Sequence, residues 1–215
     1  MQDNLHDYRK SYTKSALTRD NLDANPMQQF RTWFYEADNS NTVDEANAMS
    51  VSTIGEDGFP KSRVVLLKSY NENGFVFYTN YNSEKGQALI NNPKTCLSFF
   101  WSALERQVII KGVAEKLPEH QSDNYFASRP KGSQLGALVS PQSQVIKNRT
   151  ILEDKLKELE EDYAHKEINR PRNWGGFLVK PQSIEFWQGR PNRLHDRFLF
   201  TLQEDFDWKI ERLAP

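Results

Sequence analysis

The sequence lacks the features that mark secreted, membrane-spanning and disulfide-stabilised proteins. It has one cysteine, Cys96, which cannot form an internal disulfide and therefore fits a reducing compartment. No apolar run approaches the roughly 20 residues that a membrane helix needs, and the polar start MQDNLHDYRKSYTKS has no apolar signal segment. These absences predict a cytoplasmic protein that is not embedded in a membrane.

An excess of one charge is also missing, as are the common nucleotide and metal motifs. Lysine and arginine number 28 against 29 aspartate and glutamate residues, a formal net charge of −1, which disfavours a nucleic-acid partner. The chain has no G-x-G-x-x-G, G-x-x-x-x-G-K-[ST], H-E-x-x-H or C-x-x-C motif. Its four histidines are scattered, so no metal is expected. Any anion site must therefore be a local gathering of cations.

Short strand patterns dominate what is present. They are AMSVSTIG, KSRVVLLKSY, GFVFYTN, KTCLSFFW, RQVIIKGVAEKL, WGGFLVK, SIEFWQG, RLHDRFLF and WKIERL. Helical patterns cover residues 26–37, the segment SEKGQALINNP with Ser83 as its N-cap, and about 118–128, 132–139 and 145–164. Strands with helices inserted between them predict a mainly β chain (α+β), an antiparallel barrel with peripheral helices rather than a doubly wound sheet.

The length and composition predict a single domain. The 215 residues, 37% hydrophobic and 27% charged, are enough for one sizeable core. We expect residues 1–20 to form a flexible polar arm and residues 21–215 to form the domain. Within 145–164, apolar residues from Val145 to Tyr163 recur at helical spacing. Packing on the domain is favoured for this helix over a partner-binding coiled coil.

The segment RLHDRFLF places Arg193, His195 and Arg197 at alternate positions. If the segment is a strand, these side chains share one face at a spacing of about 7 Å. Like charges so close cost free energy unless an anion lies between them. A solvated edge strand, with its long side chains spread into water, explains the pattern equally well.

Two other segments gather donors that suit a phosphate. YTNYNSEKG passes from a strand into a helix start, where backbone N–H groups favour phosphate and Lys85 lies in the first turn. NYFASRPKGSQLG spaces Tyr125, Arg129 and Ser133 four residues apart, so that a phenol, a guanidinium and a hydroxyl follow one face apart from the perturbation by Pro130. Taken alone, an ordinary surface lysine is the simpler explanation for Lys85, and an arginine at a helix C-terminus explains Arg129 equally well.

Two further cations and a tryptophan complete the candidate set. Arg63 and Lys68 lie at either end of SRVVLLKS, where ideal alternation puts them on opposite faces, so either a bulge or two different ligands is required. Trp187 could face a flat heteroaromatic ring. The combination points to two phosphorylated aromatic ligands that meet in one pocket.

The motifs RVVLLK, FYTN, ERQV, YFASRP…SQLGA, SPQS, IEFWQG and NRLHDRFL, with ERLAP at the end, closely resemble the pyridoxine/pyridoxamine 5′-phosphate oxidase family. The likeness covers nearly the whole chain from about Tyr8 onward, in order. It implies an FMN-binding split β-barrel and a cytoplasmic homodimer with active sites at the subunit interface. The implied reaction converts pyridoxine or pyridoxamine 5′-phosphate to pyridoxal 5′-phosphate for vitamin B6 biosynthesis or salvage. Hydride passes from C4′ to flavin N5, and dioxygen reoxidises the flavin to give hydrogen peroxide.

The resemblance also implies roles for individual residues. FMN would be bound by Arg63, Val64, Val65, Leu66, Leu67, Lys68, Tyr78, Thr79, Lys85, Gln107, Gln142, Ser143, Trp187 and Arg197. The substrate would be bound by Arg9, Lys10, Ser11, Tyr12, Lys68, Tyr125, Arg129, Ser133, Arg193, Leu194 and His195. Arg193 and His195 would be catalytic and would face the reacting end of the pyridine ring. The segment 9–12 resembles the part of the family that closes over the substrate.

One position departs from the family pattern. Family members usually have Ser-Arg-Lys before the helix, whereas this chain has Ser83-Glu84-Lys85. Glu84 therefore implies either weaker FMN binding or a glutamate turned to solvent. Two other functions stay open, a split-barrel reductase with another substrate and a non-catalytic carrier of pyridoxal phosphate. A reductase would have no reason to carry Tyr125, Arg129 and Ser133 together with Arg193 and His195. A carrier would consume no oxygen.

Overall fold

Nine strands and five α-helices form the regular structure of the protein, which a computed structural model describes for residues 4–215. The strands are β1 (Ala48–Ile54), β2 (Pro60–Leu66), β3 (Ser69–Asn71), β4 (Gly74–Asn80), β5 (Lys94–Trp101), β6 (Arg106–Lys116), β7 (Trp174–Gln188), β8 (Asp196–Leu202) and β9 (Trp208–Leu213). The helices are α1 (Pro26–Asp38), α2 (Glu84–Asn91), α3 (Glu119–Ser128), α4 (Lys131–Val139) and α5 (Thr150–Asp162). Residues 1–3 of the predicted arm lie outside the described residues.

The strands hydrogen-bond in the order β2-β1-β5-β6-β7-β4-β3, with β8 paired to β7 and β9 paired to β8. The pairs β3–β4, β4–β7, β7–β8 and β8–β9 are antiparallel. The predicted fold class, mainly β with antiparallel strands and added helices, is confirmed. Within residues 4–215, none of the helices combines the length and the apolar character needed to cross a membrane.

Strand β7 corrects one sequence prediction, because WGGFLVK and SIEFWQG are one strand of 15 residues that continues through Pro181. Proline cannot donate a ladder hydrogen bond and usually interrupts a strand. Here β4 pairs with residues 174–179 and β8 pairs with residues 183–188. Pro181 falls in the gap between these two pairings, where its missing N–H group is tolerated.

Contacts divide the chain into two compact units. Unit 1 comprises residues 4–49, 97–111 and 181–215 of the described chain, and unit 2 comprises residues 50–96 and 112–180. In unit 1, α1 begins where the Asn25 side chain accepts the backbone N–H of Met27 at 2.8 Å. Its buried face presents Phe30 and Trp33 to aromatic rings of unit 1, among them Phe99, Trp101 and Phe186.

Unit 2 packs α3, α4 and α5 around a second apolar cluster. Its buried members are Phe126, Leu135, Ile168 and Trp174, and partly buried side chains of α5, namely Leu156 and Leu159, pack against it together with Tyr163. Packing of this helix on the domain is thus confirmed. Its predicted start is wrong, because α5 begins at Thr150 and Val145 is fully exposed.

Candidate active site

Unit 2 contains a cavity of about 640 Å³. It brings together eleven of the residues assigned to FMN or substrate, namely Val64, Val65, Leu66, Lys68, Tyr78, Thr79, Lys85, Tyr125, Arg129, Ser133 and Gln142. Arg63, Leu67 and Ser143 belong to the same unit but do not line this cavity, and Leu67 is a buried core residue. Gln107, Trp187 and Arg197 belong to unit 1.

One group of donors in this cavity lies at the start of α2. The Ser83 hydroxyl caps the helix by accepting the backbone N–H of Gly86 at 3.2 Å. Lys85 Nζ donates to Thr79 Oγ1 at 3.1 Å, and Thr79 Oγ1 donates to Gln142 Oε1 at 3.3 Å. Burial lowers the pKa of Lys85 and the charge of Arg63 lowers it further, against the opposite effect of Glu84. A bound anion would favour the charged form of Lys85 and oppose this lowering of its pKa.

Glu84 is turned away from this cavity. Both of its carboxylate oxygens accept from Lys61 Nζ on β2, with one contact at 2.6 Å, and its side chain is 46% exposed. It does not line the cavity beside Lys85. The ion pair compensates the negative charge that replaces the usual arginine of the resemblance, which favours the second of the two alternatives for Glu84.

A second group of donors lies where α3 gives way to α4. Helix α3 ends at Ser128, Arg129 is extended, and Pro130 precedes α4. The three predicted donors therefore do not follow one face of a single helix, because the chain forms two helices here. The guanidinium carbon of Arg129 lies 4.6 Å from the centroid of the Trp174 ring. Its Nη1 atom is buried and has no hydrogen-bond partner within the described part of the chain. Burial lowers the pKa of Arg129, so an anion here would satisfy both the charge and the orphaned donor.

Aromatic rings complete this end of the cavity. Tyr78 stacks on Tyr125 with the ring centroids 3.9 Å apart, and both rings stack near Trp174. Burial raises the pKa of Tyr78, helped by Tyr125 and Tyr81, so its phenol stays protonated at neutral pH. Sequence reasoning missed Trp174, because its place at the start of an apolar strand is equally typical of a core residue.

Unit 1 contains a separate cavity of about 440 Å³. It is lined by Tyr8, Arg9, Lys10, Ser11, Tyr12, Arg190, Asn192, Arg193 and His195. The structure therefore brings the predicted segment 9–12 together with Arg193 and His195. Leu194 is largely exposed and does not line this cavity. Arg190 was not predicted, since its place in the turn GRPN gives no signal beyond that of a loop.

The prediction that residues 193–195 form a strand is wrong. Residues Pro191–Arg193 form a 3₁₀ turn, in which Asn192 and Arg193 have φ values of 57° and 62°, and β8 begins only at Asp196. Left-handed backbone is uncommon for a bulky residue such as arginine and is often found at functional sites.

Arg197 does not share a cationic face with Arg193 and His195. Its Nε donates to Glu185 Oε1 at 2.8 Å, and its Nη1 donates to the carbonyl oxygen of Ala214 at 2.8 Å. The bond to Glu185 raises the pKa of Arg197. The charge of Arg197 is thus paired within the chain without a bound anion. Its assignment to FMN stays a prediction.

His195 is held in one protonation state by its surroundings. Its Nδ1 accepts the backbone N–H of Arg190 at 3.1 Å, and its ring lies 4.7 Å from that of Trp187. Burial lowers the pKa of His195 and the charge of Arg193 lowers it further, whereas Asp196 opposes the shift. These effects favour the neutral imidazole at neutral pH, and because Nδ1 accepts a hydrogen bond, the proton of the neutral ring is on Nε2.

Comparisons with known proteins agree with this geometry. Residues 37–162 match the family model described as pyridoxamine 5′-phosphate oxidase. Residues 174–215 match a second model, described as the pyridoxine 5′-phosphate oxidase C-terminal dimerisation region. The chain belongs to the pyridoxine/pyridoxamine 5′-phosphate oxidase family.

Relatives and a solved structure extend the match over the whole chain. The pyridoxine/pyridoxamine 5′-phosphate oxidase of Flavobacterium psychrophilum is 61% identical over 98% of this chain and 99% of its own. That of Christiangramia forsetii is 55% identical over all of both chains. The crystal structure of PhzG from Burkholderia lata 383, in complex with tetrahydrophenazine-1-carboxylic acid, has a TM-score of 0.86 at 26% identity and covers 93% of this chain and 98% of that one. The chain has the split-barrel fold of this family.

Proposed function

We propose that this chain is an FMN-dependent oxidase that converts pyridoxine and pyridoxamine 5′-phosphates to pyridoxal 5′-phosphate in vitamin B6 biosynthesis or salvage. The alcohol or amine at C4′ becomes an aldehyde, dioxygen is reduced to hydrogen peroxide, and the amine also takes up water and releases ammonia. Family membership over the full chain supports this reaction. The main structural support for this function is that the cavity of unit 2 contains two groups of donors suited to phosphates, one at Lys85 and one at Arg129.

The residues of unit 2 fit FMN. Lys85 is partly buried, is tied to Thr79 and has its charged form disfavoured, as expected of a cation that awaits a phosphate. Lys85, Thr79 and Gln142 would hold the FMN phosphate end, with residues 64–66 of β2 beside them. When bound, FMN supplies a hydride acceptor that passes its electrons on to dioxygen.

The substrate phosphate is assigned to Lys68, Tyr125, Arg129 and Ser133. Arg129 supplies an unpaired buried N–H group, and Ser133 lies in the first turn of α4. Charge-assisted hydrogen bonds of this kind bind phosphate more strongly than neutral ones. This group therefore anchors the end of the substrate that does not react.

Arg193 and His195 are assigned to the reacting end of the substrate. Arg193 orients the pyridine ring and stabilises charge that develops near C4′ or the ring oxygen. His195 presents the Nε2 proton as a donor, because Nδ1 already accepts from the Arg190 backbone. The neutral ring therefore positions a substrate oxygen or nitrogen by donating to it.

The chain is a homodimer, as its C-terminal dimerisation region indicates. We place the active sites at the subunit interface, with residues 1–20 as an arm over the substrate and residues 21–215 as one domain. A cytoplasmic location is supported by the single cysteine, which fits a reducing compartment.

Purification followed by a visible spectrum and an oxygen-uptake assay tests the function. We expect a yellow protein that consumes oxygen and forms hydrogen peroxide with pyridoxine 5′-phosphate. A carrier of pyridoxal phosphate would bind ligand but consume no oxygen, and a reductase with another substrate would be yellow but inert. A preparation that stays colourless and inactive after FMN is supplied contradicts the proposal.

The Lys61–Glu84 ion pair should protect FMN affinity. Lys61→Met leaves the Glu84 carboxylate uncompensated beside Lys85, so the Kd for FMN should rise about fivefold at low salt, a modest effect because the pair is half exposed. The double variant Lys61→Met/Glu84→Gln removes both charges and should return the Kd close to its original value. Calorimetric titration of the apoprotein measures all forms, and an unchanged Kd in Lys61→Met would contradict the role of the pair.

A further inference from the structure

Two buried carboxylates hold the backbone of the N-terminal arm. Glu105 is 2% exposed, and its Oε2 accepts the backbone N–H of Lys14 at 3.0 Å. Asp196 is 6% exposed, and its Oδ2 accepts the backbone N–H of Leu17 at 3.1 Å. Between these two points, Arg190 Nη1 donates to the carbonyl oxygen of Ser15 at 3.1 Å. Three backbone groups of the arm, at Lys14, Ser15 and Leu17, are therefore fixed by side chains distant in sequence.

The partners of the two carboxylates differ. Asp196 also accepts from Arg212, and its Oδ2 lies 3.5 Å from Arg190 Nε, so its charge is compensated within the body of unit 1. Among residues 4–215, the hydrogen bond and the ion pair of the Glu105 carboxylate both come from the arm, from the Lys14 N–H group and, at 4.0 Å, from Lys10 Nζ. A buried carboxylate needs such partners. Displacement of the arm would therefore leave the buried Glu105 carboxylate without these partners, which favours the position of the arm seen in the structure.

The backbone at Glu105 is also unusual. Its φ of 57° is left-handed, a conformation that glutamate seldom adopts. Its carbonyl oxygen accepts the backbone N–H of Gly189 at 2.7 Å. A Cβ atom at Gly189 would lie only 2.8 Å from the Tyr12 ring, so glycine permits the close seating of Tyr12. Glu105 therefore binds both the arm and the residue on which the arm rests.

Tyr12 connects this arrangement to the cavity of unit 1. Its ring meets that of Trp187 edge-on at 5.7 Å and lies 5.8 Å from the ring of His195. Residues 8–12 line the cavity with Arg193 and His195. The position of the arm thus sets the shape of this cavity.

We propose that Glu105 and Asp196 are positioning residues that form a carboxylate clamp, which holds residues 8–17 as a wall of the Arg193/His195 cavity while substrate binds. Because the clamp binds backbone N–H groups, its strength depends little on the side chains of the arm apart from Lys10. The role in substrate binding rests on the proposed function, whereas the clamp itself is a property of the folded chain.

The variant Glu105→Asn weakens the contact between position 105 and the arm while it keeps a residue that suits the left-handed backbone there. Asparagine adopts left-handed backbone more readily than glutamate. Its side chain is one methylene shorter and ends in a neutral amide, so the Lys14 N–H group loses the carboxylate oxygen that accepts from it. In the holoenzyme we expect amide hydrogen exchange at Lys14 to accelerate about tenfold, as for the loss of a hydrogen bond to a charged group, and trypsin to cleave faster after Lys14. The thermal midpoint should be unchanged or higher. The KM for pyridoxine 5′-phosphate should rise about tenfold, with a smaller change in kcat.

Gly189→Ala displaces the arm by another route, because the new methyl group collides with Tyr12 while Glu105 is untouched. It should give the same exchange, cleavage and KM changes. Glu115→Gln is the matched control: it removes a carboxylate from a surface pair with Lys180 and should alter none of them.

The outcomes are distinguishable. Unchanged exchange and cleavage in both variants would refute the clamp, whatever the activity of the protein. Release of the arm with an unchanged KM would refute its role in substrate binding. An inactive wild-type protein would overturn the proposed function, while exchange and cleavage would still decide whether the clamp exists.

Discussion

Replacing Arg193 by alanine should lower kcat/KM for pyridoxine 5′-phosphate about 100-fold, the usual loss when one donor to a developing charge is removed. Arg193 and His195 line the cavity of unit 1, and Arg193 has a left-handed backbone. Steady-state oxygen uptake measures the effect. The flavin spectrum should be unchanged, because Arg193 is assigned to the substrate alone.

Two further variants control this experiment. Arg193→Lys keeps the charge but loses the planar fork of donors, so it should recover only part of the activity. Arg149→Ala removes an exposed arginine of a surface ion pair and should leave kcat/KM unchanged. Wild-type kcat/KM in Arg193→Ala would show that the assigned role is wrong.

Arg129→Met should raise the KM for pyridoxine 5′-phosphate about 100-fold and change kcat much less. Loss of charge-assisted hydrogen bonds to the phosphate is worth about 1.5–3 kcal/mol, and the phosphate is remote from C4′, so binding is affected more than chemistry. The unbranched methionine side chain keeps an apolar contact with Trp174. Kinetics with pyridoxine 5′-phosphate and with unphosphorylated pyridoxine should show that the preference for the phosphate ester falls.

Thermal stability distinguishes this binding role from a structural one. Arg129 Nη1 is buried without a partner among residues 4–215, and replacing an unsatisfied buried donor by an apolar side chain of similar length removes its desolvation cost. The thermal midpoint of Arg129→Met should therefore be equal to or above that of the wild type. A lower midpoint combined with an unchanged KM would mean that Arg129 supports the fold instead.

The parts of the structure that depend on local signals could be predicted from the sequence. Helix α1 begins at Pro26 and α2 follows Ser83, in each case because a residue that favours a helix start is adjacent in the chain to the helical pattern. The grouping of Tyr125, Arg129 and Ser133 also follows from their spacing, and it survives the break at Pro130.

The parts that depend on distant partners could not be predicted. Pro181 lies within β7 because its neighbours change along the strand. In RLHDRFLF, the alternation of side chains that is typical of a strand holds within β8. The residues before Asp196 show the same alternation in the sequence but follow a turn in which Asn192 has a left-handed backbone. Nothing near Glu84 in the sequence identifies Lys61 as its partner.

Three of the five tryptophans of this chain are natural optical reporters. Trp33 is buried beneath the Arg106 guanidinium at 4.5 Å, Trp174 lies under Arg129, and Trp187 lies against His195. Each indole is therefore next to a different basic group, and its emission should respond to a different event. Variants that retain one tryptophan could follow unfolding from Trp33, occupancy of the phosphate end from Trp174, and movement of the arm from Trp187, without any attached dye.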